Sequence, residues 1–191
     1  SEMCIRDRSI ARNNGIDKAV GEFITFVDPD DYIGVEYLSH LYDLVAELPE
    51  QDIDMGIQGY NKCYEDGVVF ETTKFMPIKV TSSHNFAILL SRKDTCDMFA
   101  TCSKLYKRAF LNLNNLRFDS GICSFEDALF LLNCILRCKS IAVGNYADYY
   151  YVIHARTLSR RLMKFELEYH AFFSCYQTIT SIADKQHLHY V

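Results

Sequence analysis

The sequence predicts an α/β fold, because helical and strand-like patterns alternate along most of the chain. Residues 10–20 have a helical composition after Ser9, a candidate N-cap. The short apolar run within Gly21–Val27 then predicts a strand covered on both faces. Val35–Leu48 follows with apolar residues at helical spacing, and Pro49 closes that helix. This alternation is accompanied by 49% hydrophobic and 24% charged residues, an ordinary globular composition.

The later segments continue the alternation. Ile53–Tyr60 predicts a strand, and the segments 60–65 and 68–73 predict a hairpin around Asp66-Gly67, because Asp-Gly supplies the positive φ of a type I′ turn. The remaining predictions are helices over Ser83–Ser91, Glu126–Leu136 and Lys164–Ile182, and strands over Ile141–Val143 and Tyr149–Ile153.

The charge balance limits the partners. The formal net charge of −5 argues against a nucleic acid, which would favour a basic patch. An anionic ligand therefore has to be held by local cations or by a metal ion.

The cysteines indicate a reducing compartment. There are eight of them and no Cys-x-x-Cys pair, and Cys134 and Cys138 lie in an apolar, apparently helical segment. We expect them to be small buried hydrophobic residues in the cytoplasm. No segment approaches the roughly 20 apolar residues that span a bilayer.

Three acids follow the first predicted strand. Pro29 cannot continue a strand ladder, so Asp28, Asp30 and Asp31 are predicted to lie on a loop. The ends of strands in open α/β sheets border the ligand crevice, where carboxylates can bind a divalent cation and the phosphates it carries. A simpler structural interpretation is an acidic turn that caps the helix beginning at Val35.

Four sequence blocks, in this order and spacing, resemble family 2 glycosyltransferases of the GT-A fold. They are Ala11–Ile16 with Gly21–Asp31, Cys102–Arg108 with Leu116–Asp119, Phe125–Phe130, and Tyr149–Tyr151 with His154 and Ser159. Together they cover roughly residues 11 to 160. The resemblance implies a GT-A α/β fold.

The resemblance also implies a donor site. Asp30 corresponds to the direct ligand of Mn²⁺ or Mg²⁺, and Asp28 to a ribose or metal contact. Arg12 corresponds to an arginine on the nucleotide side, and His154 to a position near the diphosphate. The simpler interpretations are a solvated arginine early in a helix and a structural histidine.

The Phe125–Phe130 block contains the candidate catalytic pair. In the resembled family Asp127, next to Glu126, corresponds to the general base that removes a proton from the acceptor hydroxyl. Acids that satisfy a helix N-terminus are the simpler structural interpretation.

The implied reaction is transfer of a sugar, with inversion, from a nucleotide-sugar donor, expected to be a UDP-sugar, to a saccharide or lipid-linked acceptor. The implied process is cell-surface polysaccharide or glycolipid synthesis, at the inner face of the membrane, with peripheral association of the full-length protein. These are analogies from the family.

The start of the chain departs from the family pattern. The family's first strands and its Asp-Asp-Gly-Ser segment do not precede Ala11. We therefore expect an unrelated leader at 1–9, an N-terminally truncated GT-A domain at 10–163 and a C-terminal helical segment at 164–191. On this interpretation the chain by itself binds no sugar nucleotide. The alternatives are a non-catalytic binding module and a phosphatase that forms a phosphoaspartate on Asp28.

Overall fold

The computed structural model describes residues 2–46, 52–81, 98, 100–122, 124–154 and 165–185. The predicted helix over 83–91, Pro49 and Ser159 lie outside the described residues. The chain forms two compact units. The first contains Ser1–Glu22, Arg108–Cys138 and Leu162–Val191, and the second contains Phe23–Lys107 and Lys139–Arg161.

The described part of the chain contains both helices and strands, as predicted, but several strands follow one another directly. The described helices are α1 (Glu2–Lys18), α2 (Tyr37–Ala46), α3 (Arg108–Leu113), α4 (Glu126–Arg137) and α5 (Phe165–Lys185). The described strands are β1 (Phe23–Ile24), β2 (Tyr32–Ile33), β3 (Met55–Ile57), β4 (Tyr60–Tyr64), β5 (Val69–Thr73), β6 (Ile78–Val80), β7 (Lys104–Lys107), β8 (Ile141–Val143) and β9 (Tyr149–Ile153).

The described strands of the second unit form two mixed sheets. The first has the order β1-β7-β3-β8-β6, in which β3 and β8 are parallel and the other pairs are antiparallel. The second has the order β2-β9-β4-β5, in which β9 and β4 are parallel. Strand β9 thus lies between the strand that follows the acidic loop and the first strand of the hairpin.

Helix α2 covers the core of this unit with one stripe. Tyr37, Leu41 and Val45 are buried at a spacing of four residues, and they belong to a cluster that includes Leu105 and Tyr149. Burial of each such side chain stabilises the unit by roughly 1.5–3 kcal/mol. Leu38 and Tyr42 are among the apolar residues at helical spacing from which this helix was predicted, but their side chains are 53% and 52% exposed. The buried stripe is therefore rotated from the predicted one.

The predicted strand Ile53–Tyr60 is two strands in different sheets. Strand β3 ends at Ile57 and β4 begins at Tyr60. At Gly59 the chain passes so close to its neighbour that an added Cβ would lie 1.9 Å from the carbonyl oxygen of Thr73. Glycine permits this approach and lets the chain leave one sheet for the other.

The hairpin prediction is confirmed, but the turn is not the predicted type I′, because Gly67 has a positive φ and Asp66 does not. Gly67 has φ of 83° in the turn between β4 and β5. The Tyr64 N–H donates to the Val68 carbonyl at 3.0 Å, and the Asp66 side chain accepts from the Val68 N–H at 3.0 Å. The turn is therefore fixed on both sides.

The first predicted strand is shorter and more exposed than expected. Only Phe23 and Ile24 pair with β7, at one end of the strand order, and Val27 is 43% exposed. Because Val27 is 43% exposed, the apolar run is not covered on both faces along its whole length.

The first unit is helical in its described part. Helix α1 begins at Glu2, so Ser9 lies inside it, buried, and is not an N-cap. The Asn13 side chain donates to the Phe118 carbonyl and accepts from the Phe118 N–H, both at 2.8 Å. Helices α4 and α5 share a small apolar cluster of Ile122, Leu129 and Ala171.

Two further sequence predictions can be compared with the structure. Cys134 and Cys138 are buried free thiols, as predicted. Of the helices in the described part of the chain, none combines the length and the apolar character needed to cross a membrane.

Candidate functional site

The acidic loop of the second unit is a turn closed by one buried hydroxyl group. The Asp31 N–H donates to the Asp28 carbonyl at 3.1 Å. The hydroxyl of Tyr149, which is fully buried on β9, accepts from the Asp28 N–H at 3.2 Å and donates to the Asp31 carboxylate at 2.6 Å. Both ends of the turn are thus hydrogen-bonded to β9, an inner strand of the sheet.

Both carboxylate oxygens of Asp31 accept hydrogen bonds from β9. Its second carboxylate oxygen accepts from the Val152 N–H at 2.9 Å. Burial raises the pKa of Asp31, opposed by the hydrogen bonds from Tyr149 and Val152, while the charges of Asp30 and Asp28 raise it further. Of the three acids, Asp31 therefore acts as the structural anchor.

Asp28 and Asp30 remain as candidate ligand contacts. Asp28 is half-buried and Asp30 is exposed. Among the described residues, no three His, Cys, Asp or Glu side chains are grouped closely enough to hold a metal ion by themselves. Mg²⁺ and similar cations are also bound by only one or two carboxylates, with phosphate oxygens and water as the remaining ligands. The two carboxylates of Asp28 and Asp30 fit this arrangement. The chemistry of these donors is therefore compatible with a metal-diphosphate complex.

His154 lies beside the same turn, immediately after β9. Its Nδ1 is 2.7 Å from the carboxylate of Glu65, and its ring also lies close to the main chain of Asp30. The Glu65 hydrogen bond raises the pKa of His154, with smaller contributions from the Glu65 charge and from Asp30. This environment favours a positively charged ring next to two carboxylates.

The first unit contains the Glu-Asp pair at the start of α4. The Arg12 guanidinium lies 2.5 Å from the Asp127 carboxylate and 3.9 Å from that of Glu126. It also stacks over the ring of Phe118, with 5.3 Å to the centroid. Arg8 contacts Glu126 at 2.9 Å. Two arginines of α1 are thus paired with the two acids that begin α4.

Glu126 and Asp127 differ in burial. The Glu126 side chain is 5% exposed, whereas that of Asp127 is 29% exposed. Burial and the nearby Asp127 charge raise the pKa of Glu126, against the opposing influence of Arg8 and Arg12. Asp127 is the more accessible carboxylate, which suits a group that has to reach a substrate.

The six site residues predicted from the sequence therefore form two groups, one in each unit. Asp28, Asp30 and His154 are together in the second unit, and Arg12, Glu126 and Asp127 are together in the first. Sequence reasoning missed the roles of Tyr149 and Glu65. Both depend on which strands pair with β9, and no local pattern reports that.

The comparisons with known proteins agree with the predicted family. The model of the family described as "Glycosyl transferase family 2" matches residues 6–113. Poly(ribitol-phosphate) beta-glucosyltransferase of Bacillus spizizenii is 34% identical over 143 residues, which cover 74% of this chain and 20% of that protein. Poly(ribitol-phosphate) beta-N-acetylglucosaminyltransferase TarS of Staphylococcus aureus is 31% identical over 73% of this chain and 22% of that protein. The chain thus spans about a fifth of the length of these relatives.

The fold is also shared. The crystal structure of S. aureus TarS residues 1–349 in complex with UDP superposes with a TM-score of 0.64 and 26% identity, covering 88% of this chain and 44% of that one. This similarity confirms the GT-A α/β fold predicted from the sequence. With a family match over more than half of its residues, the chain belongs to glycosyl transferase family 2.

Proposed function

We propose that this chain is part of an enzyme that transfers a sugar, with inversion, from a UDP-sugar to a hydroxyl group of a cell-surface polymer. The observation that carries the proposal is the turn of residues 28–31. The hydroxyl of Tyr149 and the carboxylate of Asp31 fasten this turn to β9, and the turn carries the carboxylates of Asp28 and Asp30. Such a fixed pair of hard oxygen ligands suits a cation that is shared with a diphosphate.

The donor assignment rests on charge and on similarity. A chain with a formal net charge of −5 needs a local cation to hold a nucleotide diphosphate. Bound Mn²⁺ or Mg²⁺ would neutralise negative charge on the leaving diphosphate. In our proposal Asp30 and Asp28 hold this ion, and His154 adds a positive group on the diphosphate side. The TarS structures with UDP and with UDP-GlcNAc support a UDP-sugar as the donor.

The acceptor step is assigned to Asp127. Its carboxylate takes the proton from the acceptor hydroxyl, and Arg12 holds that carboxylate in one orientation. A base that activates the acceptor for one direct displacement produces inversion at the sugar carbon. The relatives are named as enzymes that form β linkages on poly(ribitol-phosphate), which supports both inversion and a polymeric acceptor. We place the full-length protein at the inner face of the membrane, with peripheral association, because a UDP-sugar donor is supplied from inside the cell.

The test is transfer by the full-length protein. Purified protein is incubated with Mn²⁺, an α-linked UDP-sugar (UDP-glucose or UDP-GlcNAc) and poly(ribitol-phosphate), and NMR of the product gives the anomeric configuration. We expect a β-linked product. Asp127→Asn should lower kcat by about 10²–10⁴-fold while UDP affinity stays unchanged.

A control and a contrary result complete this test. Asp17→Asn changes an exposed acid of the same unit, paired with Arg117, and should leave kcat unchanged. Binding of UDP with no transfer and no donor hydrolysis would reject the enzyme and favour the binding module.

A further inference from the structure

Three chain segments meet at one end of the second sheet. Strand β9 lies between β2 and β4, and in the parallel β4-β9 pair Tyr64 is aligned with Ile153. The next residues along each strand are Glu65 and His154. The register therefore brings these two side chains together although they are 89 positions apart, and their carboxylate and ring nitrogen are 2.7 Å apart.

Glu65 lies on a well-defined support. It opens the turn of the hairpin, where the main chain of Tyr64 is hydrogen-bonded to Val68 at 3.0 Å and to Gly67 at 2.9 Å. In the same turn, the Asp66 side chain accepts a hydrogen bond from the Val68 N–H. The turn therefore fixes the backbone of Glu65, and the 2.7 Å contact with His154 orients its side chain, which is 64% exposed.

The ring of His154 links this turn to the acidic one. On one side it contacts Glu65, and on the other it lies close to the main chain of Asp30. Asp30 lies in the turn that Tyr149 closes through Asp28 and Asp31. The histidine ring therefore lies between the hairpin and the candidate donor site.

We propose that Glu65 is a positioning residue that fixes the His154 ring against Asp30 and so keeps the acidic turn ready for the donor diphosphate. This inference rests on the proposed function. In metal sites, groups that orient a ligating histidine change affinity by about 10–100-fold when they are removed, and we expect the lower end of this range for a histidine beside a diphosphate. A carboxylate on the ring nitrogen is a frequent device of this kind.

The first experiment measures affinity for UDP with Mn²⁺ by calorimetry, using the full-length protein. Glu65→Gln should weaken binding by about 10-fold. The matched control is Glu71→Gln, because Glu71 is an exposed carboxylate of the same hairpin and pairs with Lys62 at the same 2.7 Å. It should leave the affinity unchanged.

A double substitution tests whether Glu65 acts through the histidine. In the His154→Ala background, Glu65→Gln should cause no further loss of affinity. An equal loss in both backgrounds would overturn the proposal, because Glu65 would then act by another route. Unchanged affinity in the single variant would overturn it as well.

The second experiment observes the ring directly. The ¹⁵N chemical shifts of the two His154 ring nitrogens report which nitrogen carries a proton, and Glu65→Gln should change them while Glu71→Gln does not. Unchanged shifts would overturn the positioning role. Absence of UDP binding by the unsubstituted protein would instead reject the proposed function, and the ring shifts would still decide whether Glu65 holds His154.

Discussion

The guanidinium of Arg12 lies 2.5 Å from the carboxylate of Asp127, although the two residues are 115 positions apart in the chain. The Arg12 side chain is 9% exposed and packs over the ring of Phe118. Family resemblance assigns Arg12 to the nucleotide side, whereas this contact makes it a partner of the proposed base. The two roles lead to different kinetic results.

We predict that Arg12→Lys lowers kcat without lowering UDP affinity. Lysine keeps the charge but cannot reproduce a planar group that is stacked on a ring and paired with a carboxylate. The expected loss is about 10-fold, smaller than the 10²–10⁴-fold loss of a general base itself. Steady-state kinetics measures kcat, and calorimetry measures the affinity for UDP. A selective loss of UDP affinity would instead show that Arg12 contacts the nucleotide.

The hydroxyl of Tyr149 gives the second prediction. Tyr149→Phe should destabilise the protein by about 1–3 kcal/mol, because a buried carboxylate loses a hydrogen-bond donor. It should also weaken UDP binding in the presence of Mn²⁺, because the turn of Asp28–Asp31 loses both hydrogen bonds to the Tyr149 hydroxyl. Tyr150→Phe, in the same strand, keeps the ring that stacks on Tyr32 and should change neither quantity. Urea denaturation and calorimetry measure the two effects.

Local sequence patterns were sufficient to predict the elements whose conformation is set by neighbouring residues. The hairpin follows from Asp66-Gly67, because the positive φ of Gly67 sets the turn. Helix α4 follows from an apolar periodicity with two acids at its start, and it spans Glu126–Arg137 against a predicted Glu126–Leu136. In both cases neighbouring residues alone determine the conformation.

Features set by tertiary contacts were not predictable. The strand predicted over Ile53–Tyr60 divides at Gly59 because of the close approach of Thr73, a distant residue in the chain. The site residues were named through family resemblance, but their partners depend on the pairing of β9 with β2 and β4. The sequence could not show that Asp31 anchors the turn on Tyr149.

Glu126 gives a prediction on pH dependence. Burial raises its folded-state pKa above the usual 4.5. The fold therefore favours the neutral carboxyl, and the stability that Glu126 contributes is fully present below the unfolded pKa and is lost as pH rises through the folded one. Relative to the parent, Glu126→Gln should become more stable as pH rises above the usual 4.5, until the folded-state pKa is passed.

Urea denaturation at a series of pH values measures this difference. Glu22→Gln, an exposed glutamate of the same unit, should show a flat difference across the range. A Glu126→Gln variant whose relative stability falls with pH would show that Arg8 and Arg12 outweigh the cost of burial.

Asp30 gives the last prediction, which concerns the metal ion. Asp30 is exposed, and its carboxylate accepts no hydrogen bond from the described residues, so Asp30→Asn should leave the fold intact. The amide keeps the size of the side chain but removes the negative charge that a hard cation prefers, so Mn²⁺-dependent donor hydrolysis and transfer should be abolished. Asp43→Asn, which neutralises an exposed acid on α2, is the matched control and should retain full activity. Transfer by the Asp30 variant at the parent rate, with the same dependence on Mn²⁺, would remove Asp30 from the metal site and leave Asp28 as the remaining candidate on this turn.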